Sequence, residues 1–152
     1  MRLIQQIAAM LAAIVAKRRA GQNVEATQAI EATCLQTCGL PLETVKGLPP
    51  DALVEHLRSS GGNRYLRAVM LAELLLQDAE MREEQGEPHQ ALVGQLHAFC
   101  LLFDSMEVLS SEEQAIYRPK LAMLAAKLEH LPPNPYVTEK LRAYRAFPFP
   151  QA

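Results

Sequence analysis

Apolar residues recur along this chain at intervals of three and four, and no segment alternates as a half-buried strand would. Ile4, Ile7, Leu11 and Ile14 form one such stripe and predict a helix over 2–20, with Ala9, Ala12, Ala13 and Ala16 as a second, small-residue face. Ala26, Ile30 and Cys34 predict a helix over 23–38, stopped by Gly39 and Pro41. The stretch 42–50 reads as a turn holding one helical turn, and Pro49-Pro50-Asp51 opens a short helix to about residue 58. Ser59-Ser60-Gly61-Gly62 then breaks the chain.

The longest helix is expected over 63–85, where Leu66, Val69, Leu71, Leu74, Leu75 and Leu76 make an apolar band too broad to be covered from one side. After Gly86, Pro88 suits a first helical turn, and Leu92, Leu96, Phe99, Phe103 and Met106 continue at helical spacing; Leu96, Phe99 and Phe103 are expected in the core, facing the 63–85 helix. Ser110 with Glu113 is a capping-box signature for a helix reaching about His130, which Pro119 is expected to kink or divide. Asn134-Pro135 starts a closing helix over 134–146, and Phe147-Pro148-Phe149-Pro150 cannot extend it. The predicted class is all-α, a single domain over 1–152.

One phrase occurs twice, 65 residues apart: Ala20-Gly21-Gln22-Asn23-Val24-Glu25-Ala26 and Gln85-Gly86-Glu87-Pro88-His89-Gln90-Ala91. Each copy puts a glycine five positions before an alanine, where one helix should end and the next begin. Glycine accepts the left-handed backbone that ends a helix, and the alanine lets the return helix approach closely. The offset divides the chain into repeat-like halves, 1–58 and 63–130, each a helix-turn-helix plus a third helix, followed by the closing helix 134–146.

With Leu75, Ala79, Gly86, Ala91 and Ala98 in the second copy, and Ala13, Gly21, Ala26 and Ile30 in the first, these hairpins resemble tetratricopeptide units. Asp78 departs from the pattern, standing where a large apolar residue is usual, and the repeat is not the standard length. The whole chain also resembles a bacterial family of short tetratricopeptide-like (TPR-like) proteins of unknown function, which share an Ala-Glu-Leu-Leu stretch like Ala72-Glu73-Leu74-Leu75. That resemblance implies helical hairpin repeats and no particular activity.

Composition narrows the function classes. With 49% apolar residues, 21% charged and a net charge of −2, the chain is globular and lacks a global drive toward nucleic acid. Residues 3–16 are uncharged but interrupted by Gln5 and Gln6, shorter than a membrane span, and followed by Lys17-Arg18-Arg19. Neither export nor membrane insertion is expected. Three cysteines, an odd number, then predict a reduced, cytoplasmic protein.

Four constellations carry candidate chemistry. Cys34 and Cys38 lie one turn apart, and His97 and Cys100 lie three residues apart on the matching helix of the second copy; a thiolate-imidazole zinc site would need the two helices to meet, and buried apolar cysteines are the plainer reading. A Cys34–Cys38 disulfide is conceivable but belongs to an oxidising compartment. Arg58, Arg64 and Arg67 flank the 59–67 loop at a helix start, a weak anion-binding candidate against an ordinary loop capped by Asn63. Glu80, Glu83, Glu84 and Glu87 suggest either paired carboxylates or, more simply, a solvated face. The basic residues of 1–20 and 118–145 would make one anion-attracting surface only if the two ends met, and scattered surface cations explain them as well.

No catalytic, phosphate-loop or zinc-protease motif occurs. The expectation is a non-enzymatic helical-repeat module, without a cofactor, that binds a protein or peptide. The rival is a helical domain, a binding protein or an enzyme, that takes a small ligand or anion through the 59–67 loop. The small-residue face of the first helix offers a surface for a homodimer.

Overall fold

The fold comes from a computed structural model, described for residues 2–132 and 134–149, with side chains from residue 5 onward. Among these residues the chain is all-helical: α1 (Arg2–Arg19), α2 (Asn23–Cys38), α3 (Leu42–Gly47), α4 (Pro50–Ser59), α5 (Arg64–Glu84), α6 (Pro88–Ser105), α7 (Ser111–Leu128) and α8 (Pro135–Ala146), with a 3-10 turn at Met106–Val108. The 42–50 stretch thus holds a complete short helix.

Local signals set most of the boundaries. The two copies of the repeated phrase close with the same hydrogen bonds: Gly21 N–H to Arg18 O with Gln22 N–H to Lys17 O, and Gly86 N–H to Glu83 O with Glu87 N–H to Arg82 O. Both are Schellman motifs. Their glycines have φ of 75° and 76°, in the left-handed region that a Cβ disfavours. Ala26 and Ala91 then enter the core in the first turn of the return helix. Asn63 caps α5 by accepting the Leu66 N–H, Asn134 caps α8, and Ser110 with Glu113 forms the full capping box of α7.

Pro119 does not divide its helix, which runs unbroken as α7. The proline and its neighbours Ala115 and Arg118 lie on the exposed side, where the carbonyl that loses its partner can face water. Buried Tyr117, Leu121 and Leu124 hold both halves of α7 to the core.

The α5–α6 hairpin is the centre of the molecule. The α1–α2 hairpin packs on α5, α7 and α8 pack on α6, and α4 closes over both central helices. This explains why α5 and α6 are apolar on nearly every side: Leu71, Leu74, Leu75, Leu101 and Leu102 are fully buried. Small residues set the approach of the pair, since a Cβ added at Gly94 would lie 3.3 Å from the Leu75 carbonyl oxygen and 3.8 Å from the Ala79 Cβ. By length and composition the segment Pro88–Val108 is apolar enough to cross a membrane, but here 61% of its most apolar window is buried inside the protein.

On α1, Ile7 and Ile14 are buried and Leu11 is half-buried, while the Ile4 and Arg2 side chains lie outside the described residues. Phe99 and Phe103 are core residues, and Leu96 is half-buried. Their aromatic partners lie beyond the 63–85 helix, however. Phe99 and Phe103 stack with centroids 6.1 Å apart, and both meet the Tyr144 ring of α8 edge-on. Phe147 meets Phe103, and Phe149 meets Tyr144, so the segment after α8 folds back over this cluster.

Candidate functional site

Cys34, Cys38, His97 and Cys100 do not gather as a metal site among the described residues. His97 is 3% exposed, and its two ring nitrogens face backbone carbonyls, Nδ1 at 2.8 Å from Val93 O and Nε2 at 2.6 Å from Leu48 O. The ring ties α6 to the loop between α3 and α4. Cys100 is buried on α6, where desolvation pushes its thiol up to about 12. Among the described residues, no three histidine, cysteine or acidic side chains gather as a metal site. Cys34 and Cys38 remain a pair, with sulfurs 4.0 Å apart.

The three arginines of the loop candidate have separate partners. Arg58 is exposed beside Glu55 at 3.5 Å, and Arg64 faces Asp104 at 3.8 Å and donates to the Tyr65 hydroxyl. Arg67 turns back into the loop, donating to Ser60 Oγ, Leu57 O and Gly61 O. It is the clamp that holds Gly61 and Gly62, both at positive φ, rather than a group aimed at an outside anion.

The acidic run is a set of cross-helix ties. Glu80 and Glu84 hold Arg18 of α1 at 2.7 and 2.9 Å, Glu83 holds Lys127 of α7 at 2.8 Å, and Arg82 lies 3.5 Å from Glu87. The same contacts use up cations from both chain ends, as do Lys120–Glu73 at 2.5 Å and Arg145–Glu129 at 2.6 Å. Among the described residues, Glu80, Glu83, Glu84 and Glu87 each hold a cation, and Arg18, Lys120, Lys127 and Arg145 each hold a carboxylate.

Two open grooves among the described residues have apolar floors large enough to seat a side chain. One, about 560 Å³, runs between α6, α7 and α8 over Leu96, Leu128, Val137 and Leu141, with the Glu129–Arg145 ion pair among its lining residues. The other, about 530 Å³, lies between α2 and α3 and is lined by Gln28, Glu31, Leu35, Pro41, Leu42 and Glu43. Here Leu35 is 52% exposed, and Val24, on the same face three turns earlier, is 68% exposed. Leu35 cannot reach the core because Ala26, Ile30 and Cys34 already occupy the inward side of α2. Glu43 lies 3.7 Å from both Lys46 and Arg82, while Glu31 stands at the edge of this groove. The signal for it was present in the sequence as apolar residues at positions 24 and 35, off the buried stripe, but their exposure depends on α3 packing as it does.

The alanines Ala9, Ala12, Ala13 and Ala16 of α1 are exposed, so none of the described helices covers that face. Comparison with known proteins yields no matching family model, no matching curated protein and no matching solved structure.

Proposed function

We propose that the chain is a non-enzymatic, tetratricopeptide-like interaction module that binds a basic amphipathic peptide in the groove between α2 and α3. The observation that carries this reading is Leu35, a large apolar side chain 52% exposed on the wall of a groove with Glu31 at its edge. A bound leucine, isoleucine or phenylalanine would cover it, gaining about 25 cal/mol per Å² of apolar surface removed from water. Lysine or arginine flanking that anchor would complement Glu31, which favours a basic peptide over an acidic one. The duplicated hairpin turns at Gly21 and Gly86 support the repeat character of the module.

Selection of a random displayed peptide library on the folded protein tests it. Enriched sequences should pair an apolar anchor with lysine or arginine, and their binding should weaken with salt. Leu35→Asp and Glu31→Lys, both at exposed positions, should each lower affinity by roughly tenfold or more, equivalent to about 1.4 kcal/mol. No enrichment, or binding indifferent to both substitutions, would refute the reading.

A further inference from the structure

We propose that Cys34 and Cys38 form a peroxide-responsive dithiol that closes reversibly into a disulfide at the end of α2. Their sulfurs face each other at 4.0 Å with no side chain between them. A disulfide needs about 2.05 Å, so roughly 2 Å of approach must come from the backbone or from rotamer change. Cys38 is the last residue of α2, followed by Gly39 at φ 76°, and a terminal helical turn beside a glycine is where such movement is cheapest. Closure would also disturb the contacts that seat this turn, from His56 Nε2 to Cys38 O at 2.9 Å and from Cys34 Sγ to Leu40 O at 3.4 Å.

The two thiols are electrostatically unequal. The Cys34 hydrogen bond, then the Leu40 backbone and the charges of His56 on α4 and Arg67 on α5, hold Cys38 below the ordinary thiol range against the opposing effect of burial. The same hydrogen bond and burial push Cys34 up. Cys38, at 6% exposure against 0% for Cys34, is also the sulfur nearer solvent, so it takes the attacking role and Cys34 the resolving one. The negative end of the α2 dipole opposes a thiolate at Cys38, and His56 and Arg67 offset it. Cys38 is 6% exposed, and its neighbour Thr37 lines a surface hollow with Arg67, Met10 and Met70.

The chemistry balances with hydrogen peroxide as the oxidant. The Cys38 thiolate attacks one peroxide oxygen, the O–O bond breaks, and hydroxide leaves and takes up a proton to become water. Cys38 is left as a sulfenic acid. The Cys34 sulfur then gives up its proton and attacks the Cys38 sulfur, the S–O bond breaks, and a second water leaves. Two thiols have lost two electrons and two protons, and one peroxide has become two waters. A dithiol reductant reverses the change by exchange.

The reduced full-length chain, treated with peroxide and then alkylated under denaturing conditions, reads this out by mass. Trypsin places Cys34 and Cys38 together in peptide 20–46 and Cys100 in another. Peptide 20–46 should lose two hydrogens and resist alkylation until reduced, in monomeric protein, while Cys100 stays alkylatable. Cys34→Ser should stop the reaction at a sulfenic acid on Cys38 that dimedone captures, and Cys38→Ser should leave Cys34 reduced. The proposal is overturned if both thiols of the wild type stay free at peroxide levels that oxidise the unfolded chain. Oxidation of Cys38 past the sulfenic acid without a disulfide, or equal reaction at Cys100, overturns it as well. These arms use the wild-type protein, so misfolding of a variant does not decide the outcome.

Discussion

Lys46 of α3 and Asp78 of α5 meet at 3.0 Å inside the protein, with their side chains only 8% and 5% exposed. Asp78 is the residue that departs from the tetratricopeptide pattern, and the short α3 supplies the charge that lets it be buried. Arg82 stands 3.8 Å from its other oxygen, one helical turn on. Desolvation of such a pair cancels much of its Coulomb attraction, so its net contribution is small while the loss of one partner is not.

Asp78→Ala should therefore destabilise by about 3 kcal/mol or more, because Lys46 is left buried without its main partner. Lys46→Met with Asp78→Leu should recover most of that loss or exceed wild type. Urea denaturation midpoints at unchanged m give the comparison. A double variant as unstable as Asp78→Ala alone would show that the pair is needed for more than charge balance.

The matched turns make a paired prediction. Nothing lies within 4 Å of a Cβ added at Gly21 or Gly86, so any cost of substitution is backbone strain at φ 75° and 76° rather than a clash. Gly86→Val and Gly21→Val should each cost about 1–2 kcal/mol, with the β-branched side chain at the upper end, and Gly86→Asn should cost less. Chemical denaturation of the three variants measures this, and a neutral Gly86→Val would contradict the left-handed cap.

How much of this was legible in the sequence follows the range of the interactions. Gly21, Gly86, Asn63, Ser110 with Glu113 and Asn134 act within a few residues of themselves, and each marks its helix end where the sequence places it. The buried stripe Ala26, Ile30 and Cys34 is likewise a local periodicity. Pro119 left a kink or a division open because its effect depends on which side of α7 faces water, which only packing decides. The Lys46–Asp78 pair, the pairing of Glu80 and Glu84 with Arg18, and the placement of His56 and Arg67 near Cys38 join residues from different helices. No spacing in one sequence encodes such meetings. His97 illustrates the same limit, since its partner Leu48 O lies on another element.

The Glu83–Lys127 contact should appear in the pH dependence of stability. Lys127, with help from Gln95, holds the Glu83 carboxyl below its usual range. A carboxyl depressed in the folded state adds stability above its unfolded pKa of about 4.3, and that stability is lost as pH falls through the folded value. Glu83 is exposed, so the effect should stay within about 1 kcal/mol. Lys127→Ala should remove it, reducing the difference between denaturation midpoints at about pH 7 and about pH 3. An unchanged difference would assign the acid sensitivity to other groups.

Phe99 is fully buried and sits between Phe103 and Tyr144. Phe99→Ala should cost about 3–5 kcal/mol through lost burial and a residual cavity, a large part of the ~5–15 kcal/mol typical of a domain. Tyr144→Ala, which removes a half-buried ring from the same cluster, should cost less. Thermal melts of the two variants test the order, and an unchanged melting temperature for Phe99→Ala would remove the ring cluster from the core.

Cys38 should react earlier in a pH series than either of the other thiols. An ordinary thiol ionises around pH 8.5, and only the thiolate attacks an alkylating agent. Since Cys34, the Leu40 backbone, His56 and Arg67 together stabilise the Cys38 thiolate, its alkylation rate in the folded protein should rise to half its maximum below that pH. Cys34 is pushed in the opposite direction and Cys100 up to about 12, so both should remain slow throughout the neutral range. Arg67→Met removes one of the stabilising charges and should move the Cys38 midpoint upward, and Cys34→Ser tests the hydrogen bond that is the largest cause of its depression. Rates for each cysteine, followed by mass spectrometry with a small neutral iodoacetamide, give the three profiles separately. A Cys38 midpoint at or above the ordinary thiol value would remove the asymmetry on which its role as the attacking sulfur depends.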